Sequence, residues 1–318
     1  MSDLRDPATD IKNPELIELL RQMDPRGGMA PFSAEEKRSA YRKGIPRSGT
    51  AEPVASSTDK TVAGPAGEVP VRIYRPKLAA GESLPVILYL HGGGFISGDL
   101  DTHDPLCRML SNHVPAVVVA VDYRLAPEHP YPAAIEDCFA VLSWLAREAN
   151  SIGGDARRMA VVGDSAGGNL AAVMPLMARD KGLGPLAAQV LIYPMVDATL
   201  SSGSLVDNAF IPPFTLVDCV KSWQMYLAGN QDRRDAYISP LHAQNLAGLP
   251  PALVITSEFD ILADEGEAYA GRLQGAGVRT EHEEFPGMIH GFFQWGGVVA
   301  AARLAMNRVV QFLQHATR

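Results

Sequence analysis

The stretch Met159-Ala160-Val161-Val162-Gly163-Asp164-Ser165-Ala166-Gly167-Gly168-Asn169-Leu170 decides how the rest of the chain is read. Residues 159–162 form a short apolar run, as a strand buried on both faces does. The chain then turns through Gly163-Asp164-Ser165-Ala166-Gly167, and small and apolar residues recur at helical spacing as far as Ala178. Strand, tight turn and helix is the context a G-x-S-x-G elbow requires. The reason is steric. The serine sits in a strained backbone conformation, so its neighbours must lack large side chains for strand and helix to pack closely. The turn lifts the hydroxyl above the sheet, and the N–H groups opening the next helix face any negative charge that develops there. The five-residue pattern carries little weight alone, because a glycine-rich helix start with a capping serine has the same spelling. Its surroundings supply the weight.

The chain has 318 residues, enough for one large α/β domain with an appended piece. A formal net charge of −8 disfavours nucleic acid as a partner. Cys107, Cys138 and Cys219 form no C-x-x-C pair and no His/Cys cluster, so each is expected to be a small buried hydrophobe, with no metal site. The start, Met1 to Asp6, is polar and reads as no signal peptide, and no apolar run reaches membrane-spanning length. These features predict a cytoplasmic protein without stable membrane association.

Residues 1–50 carry two short amphipathic helices. One follows Asn13 as N-cap, and the other follows Ser33, with Glu36 in the capping-box position. Pro25, Gly27, Gly28 and Pro31 separate them. Alternation over 69–74 predicts an edge hairpin, and the continuous apolar runs 85–90 and 116–121 predict central strands. Helices are expected over 104–112 and 135–148, strands over 190–193, 252–255 and 279–285, and a closing helix over 298–315. Strands alternating with helices predict a mostly parallel sheet covered on both faces. The run 196–237 interrupts that alternation with a helix over 215–227 and no clear strand. An excursion of that length is usually functional, and we expect it to pack with residues 1–50 as a cap over the strand ends, where open α/β sheets bind ligands. The catalytic domain would then comprise 51–195 and 238–318.

The second strong element is His91-Gly92-Gly93-Gly94-Phe95, directly after a central strand. Consecutive glycines let bare backbone N–H groups approach a ligand oxygen, as an acyl-transfer enzyme needs for the oxyanion of a tetrahedral intermediate. Gly93 and Gly94 would supply two donors and Ala166 a third. His91 reads as a structural residue that holds the loop. A serine hydroxyl also needs a general base, and the base an orienting carboxylate, here in the order Ser, acid, His. His290, in a loop leaving the last strand, is favoured over His242 because it follows the acid. Asp260 is the first Asp after strand 252–255, and Glu258 is its runner-up. Asp264 and Glu265 read as first-turn helix residues complementing the dipole. Phe95, Phe210, Phe214, Met288 and Phe292 are candidates to line an acyl pocket, and core packing is the competing role for each.

Taken together, His91 to Phe95, Gly163 to Gly168, Asp260 with Asp264-Glu265, and His290-Gly291-Phe292 resemble the hormone-sensitive lipase family of α/β-hydrolases, in the branch with GDSAG at the elbow. The run Asp122-Tyr123-Arg124-Leu125-Ala126-Pro127-Glu128-His129-Pro130-Tyr131-Pro132-Ala133-Ala134 is similar to a stretch typical of that family, where it shapes the loop beside the oxyanion turn. The resemblance covers about residues 50–318. It implies an α/β-hydrolase fold, with a mostly parallel eight-stranded sheet flanked by helices and a helical cap. It implies an esterase of short to medium acyl esters with Ser165 as nucleophile, His290 as base and acid, Asp260 as orienter, and no cofactor. Dimerisation through the edge strand near the C-terminus is also implied. Ile261 stands where many members carry Pro, and Phe95 where Trp is common; neither position touches the expected chemistry. Amidase, lactonase or deacetylase chemistry on the same triad, and a ligand-binding protein without catalysis, are the alternative classes.

Overall fold

The computed structural model describes residues 10–23, 33–77 and 83–318. The breakers Pro25, Gly27, Gly28 and Pro31 and the start Met1 to Asp6 lie outside those residues. In chain order the elements are α1 (Pro14–Gln22), α2 (Ala34–Lys43), β1 (Ser56–Gly64), β2 (Gly67–Arg75), β3 (Leu84–Leu90), α3 (Asp104–His113), β4 (Val117–Val121), α4 (Ala133–Glu148), β5 (Gly154–Asp164), α5 (Ala166–Asp180), β6 (Ala188–Ile192), α6 (Ser204–Asp207), α7 (Leu216–Tyr226), β7 (Ala252–Phe259), α8 (Ala263–Gly275), β8 (Thr280–Ile289) and α9 (Ala300–Ala316). The eight strands form one sheet in the order β1-β2-β4-β3-β5-β6-β7-β8. Only the contacts of β2, with β1 and β4, are antiparallel. This is the fold class the alternation predicts.

Both faces of the sheet are covered, which explains why β3, β4 and β6 are buried at every position. One face carries Leu88, Leu90, Val119 and Val161 under the apolar stripes of α4, α5 and α8. The other carries Ile87, Tyr89, Val118 and Val162 under α1, α3 and α9. The three cysteines are free and buried. Among the described residues, no helix is long and apolar enough to cross a membrane.

Two strands run longer than their apolar cores predict. β5 begins at Gly154, because its polar opening is held flat: the Asp155 carboxylate accepts from Arg157 Nη2 at 2.9 Å and Arg158 Nε at 3.2 Å. β8 continues past Pro286 to Ile289. Its register against β7 shifts between Ser257 and Phe259, and Glu258 Oε2 accepts the Gly287 N–H at 2.8 Å across the irregularity. Glu258 is thus a strand-end carboxylate that holds the irregular end of β8.

The N-terminal helices start as their caps dictate. Asn13 Oδ1 accepts from the N–H groups of Glu15 and Leu16, and Ser33 and Glu36 form a reciprocal capping box. Helix α2 lies over the loops leaving the sheet. Arg38 donates to the carbonyls of Ile96 at 2.9 Å and Ala126 at 3.1 Å, and Lys37 Nζ meets Asp218 Oδ1 of α7 at 2.9 Å.

Candidate active site

Three side chains that the sequence separates by up to 125 positions occupy equivalent places: each is the first residue after the C-terminal end of a strand. Ser165 follows β5, Asp260 follows β7 and His290 follows β8. Phe259 and Ile289 are register partners, so Asp260 and His290 emerge side by side. His290 Nδ1 lies 2.7 Å from Asp260 Oδ2, and His290 Nε2 lies 2.9 Å from Ser165 Oγ. The second carboxylate oxygen, Asp260 Oδ1, accepts the Leu262 N–H at 2.9 Å, and Ser257 Oγ donates to Oδ2 at 3.1 Å. Asp260 is buried and fully occupied, so the carboxylate is fixed and its imidazole partner with it. A hydroxyl, an imidazole and a carboxylate in this line can move a proton off the serine and hold the resulting imidazolium.

The elbow is strained as its small residues require. Ser165 has φ 56° and ψ −120°. A methyl group on Gly163 would strike the carbonyl of Gly167, and one on Gly167 would strike the carbonyl of Leu90. The serine is pinned from both sides: its N–H donates to Ile192 O at 2.8 Å, and its carbonyl accepts from Met195 N at 3.1 Å. Helix α5 starts at Ala166, so its first N–H groups have no intrahelical acceptor.

Gly93 and Gly94 both have positive φ, 131° and 65°, and both line a cavity of about 800 Å³ that opens onto Ser165 and His290. Ser97 fastens the glycine turn by donating from its hydroxyl to Gly93 O at 2.8 Å. His91 is buried behind it, stacked on Tyr123 at 4.2 Å, with Nδ1 at 2.9 Å from Gly92 O. Burial first, and His103 second, push its pKa down to about 4, which keeps the ring neutral. It holds the loop and stays outside the cavity lining. The run 122–134 braces the same loop, with Ala126 N donating to Phe95 O at 2.9 Å, and is itself tied to the end of α7 by Tyr131 N, which donates to Tyr226 O at 2.8 Å.

The expected pocket residues separate. Phe214 lines the cavity and stacks on His290 at 4.6 Å. Phe95 turns inward and lies flat on Tyr226, 3.8 Å away. Met288 and Phe292 sit in the core under α9, and Phe210 is half exposed. The remaining walls come largely from α2 and the segment after it, from Pro212-Pro213, and from Tyr193 and Trp295.

Asp164, the variable position of the elbow, belongs to the site and escapes a motif reading. It is fully buried, and its Oδ1 accepts from Tyr89 Oη at 2.9 Å and from Gly92 N at 3.0 Å. Burial works against its ionisation, but His103 and hydrogen bonds from Gln294 and Tyr89 outweigh it and bring its pKa down to about 2. The sequence does hold a signal: a charged residue ending a buried apolar run must find partners. It does not say which. Glu265 stands in the first turn of α8, as expected, and also reaches outside its own helix. It is buried and accepts from Val196 N at 2.6 Å and Asp197 N at 3.2 Å, tying the end of β6 to α8. Asp264 likewise caps the opposite segment, accepting from Ser204 N at 2.7 Å. Among the described residues, no group of three or more His, Cys, Asp or Glu side chains could hold a metal ion.

A family model described as the alpha/beta hydrolase fold matches residues 87–294. Esterase LipI of Mycobacterium tuberculosis is 45% identical over 253 residues, spanning 79% of each chain. Carboxylesterase NlhH of the same organism is 44% identical over 255 residues, 78% of this chain and 79% of the relative. Among solved structures, the hyperthermophilic esterase of the archaeon Pyrobaculum calidifontis superposes with a TM-score of 0.89 at 39% identity, covering 95% of this chain and 98% of that one. The chain belongs to the hormone-sensitive lipase family of α/β-hydrolases and is a serine ester hydrolase.

Proposed function

We propose that this carboxylesterase works through an acyl-enzyme on Ser165, with His290 as general base and acid and Asp260 as its orienter. The observation that carries the reading is the line of two contacts, 2.9 Å from Ser165 Oγ to His290 Nε2 and 2.7 Å from His290 Nδ1 to Asp260 Oδ2, at the wall of a cavity. Ser165 Oγ attacks the ester carbonyl while its proton passes to His290 Nε2. The carbonyl oxygen takes the negative charge and is held by the backbone N–H groups of Gly93, Gly94 and Ala166. The oxyanion collapses, the bond to the alcohol oxygen breaks, and His290 returns the proton to that oxygen. Water then repeats the sequence on the acyl-enzyme, releasing the acid and restoring Ser165. Only side chains, backbone and water take part.

The preferred substrates are short- to medium-chain acyl esters. A cavity of about 800 Å³ supports this size, with Phe214 and Tyr193 as walls beside His290. Of the cap expected from residues 1–50 and 196–237, α2 and the segment 196–237 cover a catalytic domain of 51–195 and 238–318, a reading supported by the Lys37–Asp218 ion pair beside the cavity, whereas α1 packs on the face of the sheet with α3 and α9. The protein acts as a homodimer through the outer edge of β8, a reading supported by the position of β8 at the end of the sheet. Light scattering would read a single chain mass if that is mistaken.

The test is hydrolysis of p-nitrophenyl esters from acetate to palmitate by the wild type and Ser165→Ala. The expected result is a maximum at short to medium chains that disappears in the variant. Turnover that survives in Ser165→Ala refutes the nucleophile, and a maximum at palmitate refutes the chain-length reading.

A further inference from the structure

Asp164 gathers hydrogen bonds from the pieces that must stay in register for catalysis. Gly92, whose N–H it accepts, immediately precedes Gly93 and Gly94. Gln294, whose Nε2 donates to Asp164 Oδ2 at 2.7 Å, stands four residues beyond His290 on the same loop. Ser165 is the next residue in the chain. A further connection comes from the N-terminal segment: Gln294 Nε2 reaches the Tyr41 hydroxyl at 2.6 Å, and Tyr41 stands on α2, 253 positions away in sequence. The Tyr41 ring stacks on His103 at 6.0 Å, and His103 Nε2 lies 3.3 Å from Asp164 Oδ1. Burial keeps the Tyr41 phenol above its ordinary range, so it is a neutral partner. His103 Nε2 lies 3.1 Å from the same Gln294 nitrogen. A primary amide nitrogen carries two N–H groups, and here the two shortest contacts are to Tyr41 and Asp164.

We propose that the Tyr41 hydroxyl, acting through Gln294, is a positioning residue for ester hydrolysis; this rests on the Ser165 reading above. With both N–H groups engaged, the Gln294 amide has one orientation, and the loop carrying His290 is held against the carboxylate beside Ser165. Without the hydroxyl, the Gln294 amide loses its shortest contact and keeps Asp164 and the longer approach to His103, so its orientation is less tightly set. Asp164 then loses a fixed donor on the same carboxylate that holds Gly92. Such a network transmits the loss to its other members. The remaining ties of α2, through Arg38 and Lys37, do not involve the hydroxyl, so Tyr41→Phe leaves the helix docked.

The experiment is steady-state kinetics on p-nitrophenyl butyrate with the wild type, Tyr41→Phe, Gln294→Met, the double variant, and Ser165→Ala. Tyr41→Phe should lower kcat about three- to tenfold, the worth of one neutral hydrogen bond, with KM within about twofold. Gln294→Met should lower kcat at least as far, and the double variant should be no worse than Gln294→Met alone. If Gln294→Met fails to fold, Gln294→Asn, one methylene short of Tyr41, replaces it in the cycle. Wild-type kcat in Tyr41→Phe overturns the proposal. So do effects that multiply in the double variant, and so does a rise in KM alone, which would make Tyr41 only a cavity wall. Turnover retained by Ser165→Ala is the separate outcome that sinks the underlying reading of the site.

Discussion

His290 and His242 each hold a buried aspartate, at 2.7 Å from Asp260 and 2.9 Å from Asp197, and hydroxyl side chains stand near both. The two clusters are nevertheless wired differently. His290 spends one ring nitrogen on Asp260 and keeps the other for Ser165. His242 spends Nε2 on Asp197, and Thr199 Oγ1, 3.5 Å from that nitrogen, donates to the same aspartate at 2.6 Å instead. Ser201 Oγ donates to Asp197 as well, at 2.7 Å. No hydroxyl there is presented to an imidazole that could take its proton. The location differs too. Ser165 and His290 face the cavity, whereas Asp197 and His242 stand at the two ends of the segment between β6 and β7. With Ala198 N donating to Ser239 Oγ at 2.8 Å, the second pair closes the neck of that segment. An imidazole beside a carboxylate is therefore no catalytic unit by itself. On the proposed reading it becomes one when the second nitrogen stays available and a strained turn delivers a hydroxyl to it.

The largest effects should separate the two pairs cleanly. Ser165→Ala and His290→Ala should each lower kcat by roughly 10⁴–10⁶-fold, while His242→Ala should leave kcat/KM within about twofold, since it touches no reacting atom. Turnover that collapses in His242→Ala would erase the distinction. The carboxylates come next. Asp260→Asn should cost about 10³–10⁴-fold in kcat with the fold retained, because the amide presents the imidazole with the wrong hydrogen-bond pattern. Asp197→Asn should leave kcat near wild type and lower Tm instead. Assays of both variants, paired with thermal melts, read the two axes together.

These outcomes bear on how much the sequence alone could tell. The placement of Ser165, Asp260 and His290 beside one another, and of Gly93 and Gly94 on the cavity wall, was legible because each sits where a strand end meets a short loop, and such turns restrict residue type locally. The helix starts at Asn13, Ser33 and Thr215 were legible for the same reason. The partners of Asp164 were not. Tyr89, Gln294 and Gly92 reach it from 75, 130 and 72 positions away, and no periodicity encodes such a meeting. Phe95 illustrates the same limit. It follows the glycine turn, so sequence places it at the site, but its positive φ of 63° turns the ring down onto Tyr226. Glu265 opens its own helix as its sequence position predicts, but its burial against the neck, where it accepts from Val196 and Asp197, is not encoded locally.

The smallest effects lie within the neck and depend on pH. Burial raises the pKa of Asp197, but hydrogen bonds from Thr199 and Ser201 and the neighbouring His242 outweigh it, and the folded value is lowered. A carboxylate depressed on folding adds stability above its unfolded pKa and loses it as pH falls through the folded value. Asp197→Asn should therefore be less stable than wild type by about 1–3 kcal/mol at pH 7, as expected when buried donors lose a charged acceptor. That gap should shrink on acidification below about pH 4, the ordinary carboxylate pKa. Glu265 has the opposite sign. Burial raises its pKa well above the usual range, and the nearby Asp197 adds to this despite donors from the backbone. Its contribution is complete below the unfolded pKa and is lost as pH rises through the folded one. Glu265→Gln keeps the neutral shape and an acceptor for Val196 and Asp197. Near pH 4 it should melt with the wild type, and as pH rises to 8 it should become the more stable of the two. Opposite pH trends for two carboxylates one residue-contact apart would establish that the neck carries a single negative charge, held on Asp197 beside His242. Parallel trends would place the charge on Glu265 as well, and the neck would then be an acidic pair.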